Sequence, residues 1–241
     1  MADLPNIFLW AWERPEDFTH VSLPPGVGVA YLAATIHIIG DKVALLPRRQ
    51  PLLVPPNVPL IAVFRIEVDQ RKRTVLGPEQ AKDICAGILK FANNSRVRAV
   101  QVDFDALHDQ RDFYKKLLQE LRAELPNSQG LSITALASWC MCDTWMQHLP
   151  IDESVPMCFS MGRDADNVMV SLKAGHAYGD ERCNRSLGIS IDEPNVNEVV
   201  VPSALGRPSA DHTRIYIFSG KPWTPALVER AFEIAHGHVH S

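Results

Sequence analysis

The sequence predicts a single α/β domain, a TIM-like (β/α)8 barrel, and two observations carry that prediction. Eight short apolar runs bounded by Gly, Pro, Asn and Asp recur along the 241 residues. Several of them are apolar almost throughout, which is typical of strands covered on both faces of a parallel sheet. Amphipathic helical patterns lie between many of these runs, and alternating strands and helices imply parallel pairing with right-handed crossovers. We therefore expect one barrel domain spanning residues 1–241.

The predicted strands are 6–12, 26–38, 59–68, 98–106, 130–139, 155–161, 185–192 and 214–220. The clearest helices are 77–95, 110–126 and 224–239, which have apolar residues at three- and four-residue steps and end at Asn, Pro or Gly. The segments after the first, second and seventh strands are short or rich in Pro, and we do not expect regular helices there. An open doubly wound sheet is the alternative, but the segment after the first strand has no glycine for a phosphate-binding loop.

Composition excludes several classes of function. A net charge of −4 gives no electrostatic footprint for nucleic acid, and no apolar run is long enough to span a membrane. The first ten residues lack a signal-peptide pattern, so the chain as given is expected to be cytoplasmic, or exported if a signal was removed. The sequence does not indicate an oligomeric state.

The five cysteines are interpreted as reduced, packed thiols, because the count is odd and they lie mostly in predicted strands and helices. Cys140 and Cys142 could offer two thiolates to a metal, but no second pair with zinc-site spacing accompanies them. We therefore predict neither a metal site nor a cofactor.

The fourth predicted strand carries the most informative polar residues. Gln101, Asp103 and Asp105 alternate with apolar residues inside the run 98–106 rather than past its end. Burying carboxylates costs several kcal/mol unless hydrogen bonds or counter-charges compensate. Active sites of such barrels lie at the carboxyl ends of the strands, so we expect this face of the strand to form the floor of a site.

Other polar and aromatic residues gather at the same end of the predicted barrel. They are Trp10, Trp12, Glu13, His37, Arg65, Glu67, Trp139, Asp192 and Trp223. Arg65 and Glu67 share a strand face, so a mutually neutralising ion pair is as good an interpretation as a functional role. The tryptophans would be core residues or, beside carboxylates, the aromatic faces on which sugars pack. Asp164 is interpreted as a solvated loop charge.

The stretches FLWAWERPEDF, GVAYLAATI, PRRQPL and VQVDFDA together resemble an uncharacterised bacterial family of glycosidase-like TIM barrels, over nearly the whole chain. A more remote resemblance is to family 18 glycoside hydrolases, the chitinase group. The fourth strand of that group carries an acidic motif of alternating carboxylates that ends in a catalytic glutamate, and Gln101, Asp103 and Asp105 occupy its three inward positions here. This chain departs from the motif, since Gln101 replaces the first carboxylate and Asp105 is one methylene shorter than the catalytic glutamate.

The resemblance and the residues together predict a glycoside hydrolase acting on an unknown oligosaccharide. Asp105 is expected to be the general acid and Asp103 to raise its pKa by charge repulsion. Glu67 is the first choice for the second carboxylate, followed by Asp192 or Glu13.

The expected carbohydrate contacts are Trp10, Trp12, Glu13, Arg65, Gln101, Trp139, Asp192 and Trp223. Two alternatives stay open. One is a carbohydrate-binding protein without catalysis, which the departures from the chitinase motif favour. The other is a metal-dependent hydrolase using Asp103, Asp105, His37 and Glu67.

Overall fold

A computed structural model describes residues 4–21, 23–71, 74–176, 178–205 and 213–237. Its strands are β1 (Ile7–Ala11), β2 (Glu16–Asp17), β3 (Val27–Ile39), β4 (Lys42–Pro47), β5 (Leu52–Leu53), β6 (Leu60–Val68), β7 (Val97–Asp103), β8 (Gly130–Leu136), β9 (Glu153–Met157), β10 (Ser186–Ser190) and β11 (Arg214–Phe218). Eight of them pair in parallel in the order β1-β3-β6-β7-β8-β9-β10-β11, and β11 pairs with β1. The predicted closed α/β barrel is confirmed, and each predicted strand corresponds to one barrel strand.

The helices are α1 (Pro78–Ala92), α2 (Arg111–Glu124), α3 (Ala137–Cys142), α4 (Ala165–Lys173), α5 (Pro194–Leu205) and α6 (Pro225–Ala235). The first two crossovers contain no helix in the described ranges. The first carries β2, while the second carries β4, which folds back antiparallel on β3, and β5.

Two expectations about elements were wrong. A helix, α5, does follow the seventh barrel strand, because Pro194 occupies its first turn, where no backbone N–H is needed. The fifth predicted strand was too long, since α3 begins at Ala137.

Alternation along the strands separates two cores. The outward residues of the strands pack under the helices, as Val100 and Val102 of β7 do with Leu117 of α2. The inward residues form a smaller cluster inside the barrel that is rich in aromatic rings, including Phe8, Trp10 and Tyr216.

Two glycines make room for those rings. A Cβ at Gly28 would lie 2.3 Å from the ring of Phe8, and one at Gly188 would lie 3.1 Å from the ring of Trp10. Both glycines therefore lie where an interior aromatic ring approaches the backbone of a neighbouring strand. This packing fixes the position of Trp10, which matters for the site described below.

A polar chain crosses the barrel interior beneath the aromatic cluster. Gln101 accepts a hydrogen bond from Trp10 Nε1 at 2.9 Å and donates to Ser132 Oγ at 3.2 Å. Ser132 Oγ donates in turn to Glu153 Oε2 at 3.1 Å. All four side chains are buried. Buried polar groups of this kind are stable only when they are hydrogen-bonded, which this chain achieves.

The last side chain of this hydrogen-bonded series, Glu153, forms a buried ion pair. The Glu153 carboxylate binds the Arg214 guanidinium and accepts a hydrogen bond from the Tyr216 hydroxyl at 2.7 Å. Burial, reinforced by the charge of Glu153, raises the pKa of Tyr216 well above its usual value, so the hydroxyl remains a donor.

A disulfide joins Cys140 of α3 to Cys183, so the expectation that all cysteines are reduced was wrong for this pair. An odd count means only that at least one cysteine stays unbridged, and sequence spacing could not show that residues 43 positions apart meet. Cys85 and Cys158 form no disulfide and are buried, as expected of packed thiols. Within the described ranges, no helix is long and apolar enough to cross a membrane.

Candidate functional site

A cavity of about 380 Å³ opens at the carboxyl end of the barrel. We call it the aromatic cavity, because it is lined by Trp10, Trp12, Phe159 and Phe218 as well as by polar side chains. The remaining lining residues are Arg65, Asp103, Asp105, Thr134, Leu136, Ala137, Ser138, Met157, Ser160, Met161, Asp164 and Val168. The rule that places barrel active sites at this end therefore agrees with the location of the cavity.

Asp103 closes β7 and lies on the inward face of the barrel. Thr134 Oγ1 donates a hydrogen bond of 2.6 Å to its Oδ1 atom. Removal from water raises the pKa of Asp103 to about 6, and the charges of Asp105 and Glu67 add to the increase, while Thr134 and Arg65 oppose it. Asp103 thus keeps its proton to a higher pH, about 6, than a solvated aspartate does.

Asp105 lies two residues further along the chain and is more exposed. Its carboxylate has no hydrogen-bond or ion-pair partner among the residues that the structure describes. Partial burial raises the pKa of Asp105, and the charge of Arg65 lowers it. The predicted proximity of two carboxyl groups is therefore present, but desolvation rather than mutual repulsion is the largest cause of both shifts.

A second cavity of about 340 Å³ lies on the other side of the two aspartates. We call it the polar cavity; it shares Arg65, Asp103 and Asp105 with the aromatic cavity and adds Glu67, Gln70 and Gln110. Its remaining lining residues are Ile66, Val68 and Phe104. The shared residues form the boundary between an aromatic half and a polar half of one cleft.

Arg65 and Glu67 form the ion pair that the sequence allowed, with Arg65 Nε 2.9 Å from Glu67 Oε1. His37 Nδ1 lies 3.3 Å from the other oxygen of Glu67. The side chains of Arg65 and Glu67 are 43% and 42% exposed, so the pair lies at the cleft surface rather than buried as expected. Glu67 therefore reaches the cleft but is already engaged by a cation.

Two of the predicted tryptophans line the aromatic cavity. Trp10 is held from below by its hydrogen bond to Gln101, and the guanidinium of Arg65 lies 5.9 Å from the centroid of the Trp12 ring. Gln101 itself is fully buried and lines neither cavity. The expected direct contact of Gln101 with a ligand is thus replaced by a supporting role under Trp10.

Four predicted ligand contacts line neither cavity. Glu13 accepts hydrogen bonds from the backbone N–H groups of residues 49 and 50, and Asp192 accepts one from Gly220. Trp139 lies on α3 and packs against Trp145, while the indole of Trp223 donates to the Trp10 carbonyl. The two tryptophans are packed in the interior, and the two carboxylates bind backbone N–H groups of loops. A residue at a strand end can have such a structural role as readily as it can line a cleft.

The sequence missed several residues of the cavity. Phe159 and Phe218 stack with a centroid distance of 5.6 Å and an interplanar angle of 3°. They were interpreted as part of apolar strands. The signal that could have identified them is their position at the carboxyl end of a strand, since Phe218 is the last residue of β11 and Phe159 follows β9. Asp164, which was interpreted as a solvated loop charge, is exposed and also lines the cavity.

Arg48 stabilises the loop that presents Trp12. Its guanidinium donates to the carbonyl oxygens of Ala11, Trp12 and Arg14. Basic residues in a short run usually lie on a solvated surface. Only the folded structure shows that Arg48 binds the backbone carbonyl groups next to the cleft.

The geometry does not favour a metal-dependent hydrolase. In the described part of the chain, no group of three or more His, Cys, Asp or Glu residues is arranged to hold a metal ion. His37 contacts Glu67, and Asp103 is bound by Thr134. The four residues considered for a metal site are therefore engaged in different contacts or, in the case of Asp105, left unpaired.

No protein-family model and no curated protein matches the chain. Among solved structures, it is similar to the chitinase domain of the spore coat protein CotE from Clostridium difficile, with a TM-score of 0.46 and 12% identity over 91% of this chain and 66% of that chain. It is also similar to the spore cortex-lytic enzyme SleL from Bacillus cereus, with a TM-score of 0.44 and 12% identity over 88% of this chain and 50% of that chain.

The chain therefore spans just under two thirds of the first structure and half of the second. Because both similarities are weak, the function proposed below rests on the residues of the site.

Proposed function

We propose that the protein is a glycoside hydrolase that cleaves an oligosaccharide in the cleft between Asp103 and Asp105. The observation that carries this proposal is a carboxyl group with a pKa of about 6, Asp103, beside an unpaired carboxylate, Asp105, in a cavity lined by aromatic rings. Glycoside hydrolysis needs one protonated and one ionised carboxyl group flanking the scissile bond. The two aspartates supply both.

Asp103 is the general acid in this proposal. Thr134 donates to its Oδ1, so the proton resides on Oδ2 and can pass to the glycosidic oxygen as the bond to the leaving sugar breaks. This exchanges the roles expected from the sequence, where Asp105 was the acid. The reason is that burial favours the neutral form at Asp103 more strongly than at the more exposed Asp105.

Asp105 is the ionised partner, which stabilises the positive charge that develops on the sugar ring or activates the attacking water. Glu67, expected from the sequence as this second carboxylate, is held by Arg65 and His37. An unpaired carboxylate is the better choice, because it can approach the reacting carbon without first breaking an ion pair.

The aromatic rings supply the binding surface. The apolar face of a pyranose packs on a flat ring, while neighbouring polar groups bind its hydroxyls. Trp10 and Trp12 line the cavity on one side, with Phe159 and Phe218 beside them. A cavity of about 380 Å³ is in the range typical of small-ligand sites.

Hydrolysis of a panel of oligosaccharides tests this function. The panel contains neutral, N-acetylated, amino and uronic β-1,4-linked tetramers, with products separated by mass. We expect turnover of at least one tetramer by the wild type, with a rate that falls about tenfold per pH unit above pH 6 as Asp103 loses its proton. Asp105→Asn should lower the rate by a factor of 100 or more.

Glu229→Gln, which removes a carboxylate from an exposed position on α6, is the matched control and should keep the wild-type rate. Cleavage by Asp105→Asn at the wild-type rate would contradict the assignment.

The second candidate is a carbohydrate-binding protein without catalysis. The observation in its favour is Gln101, whose position in the chitinase motif holds a carboxylate but which here is fully buried under Trp10. Binding of a panel member by the wild type with no product after prolonged incubation would select this candidate over the hydrolase.

A further inference from the structure

The charges around the cleft are unbalanced. Among the described residues that line the two cavities, the carboxyl groups are Asp103, Asp105, Asp164 and Glu67, whereas Arg65 is the one cation. Electrostatic complementarity selects ligands of opposite charge and suppresses ligands of like charge. A negative cleft of this kind disfavours uronic acids and other anionic sugars.

The charge of Arg65 is already offset within the protein. Its Nε atom lies 2.9 Å from Glu67, and its guanidinium lies 5.9 Å from the centroid of the Trp12 ring. A ligand carboxylate or sulfate that approached the remaining N–H groups of Arg65 would also meet the carboxyl groups of Asp103 and Asp105, which line the same two cavities. The cation of the cleft is thus neutralised within the protein.

The carboxylates, by contrast, have free acceptor capacity. Asp105 has no side-chain partner among the described residues. Asp103 accepts the bond from Thr134 at Oδ1, and its Oδ2 atom, which holds the proton in the acid form, becomes an acceptor once Asp103 ionises. Charge-assisted hydrogen bonds from an ammonium group to such oxygens are about twice as strong as neutral ones. Both aspartates line both cavities, so such a group could reach them from either side.

Aromatic rings next to carboxylates suit the same kind of ligand. A cation within about 6 Å of the face of a tryptophan is attracted by the ring quadrupole. Trp10 and Trp12 line the cavity together with Asp103 and Asp105. The aromatic half of the cleft can therefore bind a sugar ring and still favour a positive substituent on it.

We propose that the preferred ligand is an oligosaccharide whose sugars carry free, protonated amino groups, bound with an ammonium group between Asp103, Asp105 and the tryptophans. This selectivity rests on the proposed carbohydrate site and names its substrate class. An N-acetyl group would present a neutral amide to the same carboxylates, so the positive charge is the feature that the cleft recognises.

Isothermal titration calorimetry with tetramers of β-1,4-linked glucosamine, N-acetylglucosamine and glucose tests the proposal, with ligand integrity checked by mass spectrometry. In 50 mM salt at pH 6.5 we expect the glucosamine tetramer to bind at least about tenfold more tightly than either neutral tetramer, a difference of about 1.4 kcal/mol. Raising the salt concentration to 300 mM should reduce that preference, because screening weakens interactions between accessible charges.

Asp105→Asn should reduce the preference for the glucosamine tetramer over the acetylated tetramer to within about threefold. Glu229→Gln removes the same charge far from the cleft and should preserve the full preference. Binding of the glucosamine tetramer that is equal to or weaker than that of the neutral tetramers, or too weak to measure, overturns the proposal, as does an undiminished preference in Asp105→Asn.

These outcomes are distinct from those of the hydrolysis assay. Selective binding of the glucosamine tetramer without turnover would support the proposed ligand class and exclude the proposed hydrolase activity. Cleavage confined to N-acetylated tetramers would support the proposed hydrolase activity and exclude the proposed preference for free amino groups.

Discussion

Asp103→Asn should abolish hydrolysis and at the same time make the folded protein more stable at pH 7. The side chain keeps its shape, and its oxygen can still accept the hydrogen bond from Thr134. It can no longer ionise, so the buried negative charge disappears from the cleft together with the proton that catalysis needs. We expect a loss in rate of 100-fold to 10,000-fold, the usual contribution of a general acid.

The stability gain follows from the direction of the pKa shift. The pKa of Asp103 is about 6 in the folded state against 3.8 for a solvated aspartate, so the folded state binds this proton more tightly than the unfolded state does. The wild type is therefore most stable below pH 4 with respect to this group and loses stability as the pH rises from about 4 to 6. Above pH 6 the ionised form costs up to about 3 kcal/mol, which the variant recovers.

Urea unfolding at pH 4 and at pH 7 measures this effect. The difference between Asp103→Asn and the wild type should be near zero at pH 4 and reach its maximum at pH 7. Asp109→Asn, at an exposed position six residues along the chain, is the matched control and should change the stability by no more than about 0.5 kcal/mol at either pH. If Asp103→Asn is no more stable than the wild type at pH 7, the ionised Asp103 side chain does not destabilise the folded protein and its pKa is not raised.

Glu153→Gln should destabilise the protein by about 3–5 kcal/mol, because it leaves the buried Arg214 guanidinium without its counter-charge. Glu153 and Arg214 are only 1% and 7% exposed, so water cannot replace the lost interaction. The amide also weakens the acceptor that the Tyr216 hydroxyl and Ser132 use. Thermal unfolding should show a fall in Tm of roughly 10 °C.

A double variant separates the charge effect from the loss of packing. Glu153→Met combined with Arg214→Met removes both charges and should be less destabilised than Glu153→Gln alone, since no unpaired charge remains. Glu181→Gln breaks an exposed ion pair with Arg185 and should cost no more than about 1 kcal/mol. A cost for Glu153→Gln as small as that of Glu181→Gln would mean that the interior pair does not stabilise the barrel.

The barrel could be predicted from the sequence because each strand buries both of its faces. The stretch 59–64 is apolar throughout, for example, and this pattern is typical of a parallel strand even without any knowledge of its neighbours. The crossovers were harder to predict. After the seventh strand, prolines in the segment argued against a regular helix, but α5 begins there at Pro194. Proline is tolerated in the first turn of a helix, because the backbone N–H that it lacks is not needed there.

The floor of the site could be predicted from alternation alone, because Asp103 lies in the fourth strand on the face opposite Val102. The aromatic residues around that floor could not be predicted in the same way. Whether Trp139 faces the cleft or packs against Trp145 depends on where the strand gives way to α3. That boundary shifted by three residues from the prediction, which ended the strand at 139 where β8 ends at Leu136, and such a shift turns a side chain away from the cleft.

The interior ion pair was also hidden from sequence analysis. Glu153 was placed in the loop before the sixth strand, but the structure makes it the first residue of β9. Its partner Arg214 lies at the start of β11. These two strands flank β10 in the folded sheet, and no local sequence pattern can show that their ends meet.

A crystal structure of Asp103→Asn soaked with the β-1,4-linked tetramers tests the central claim most directly, because the variant should bind substrate without cleaving it. We expect a sugar ring packed on Trp10 or Trp12 and a glycosidic oxygen within about 3.2 Å of the side chain at position 103. The next sugar should extend past Asp105 into the polar cavity. A tetramer bound elsewhere on the surface, with the aromatic cavity free of sugar, would contradict the account.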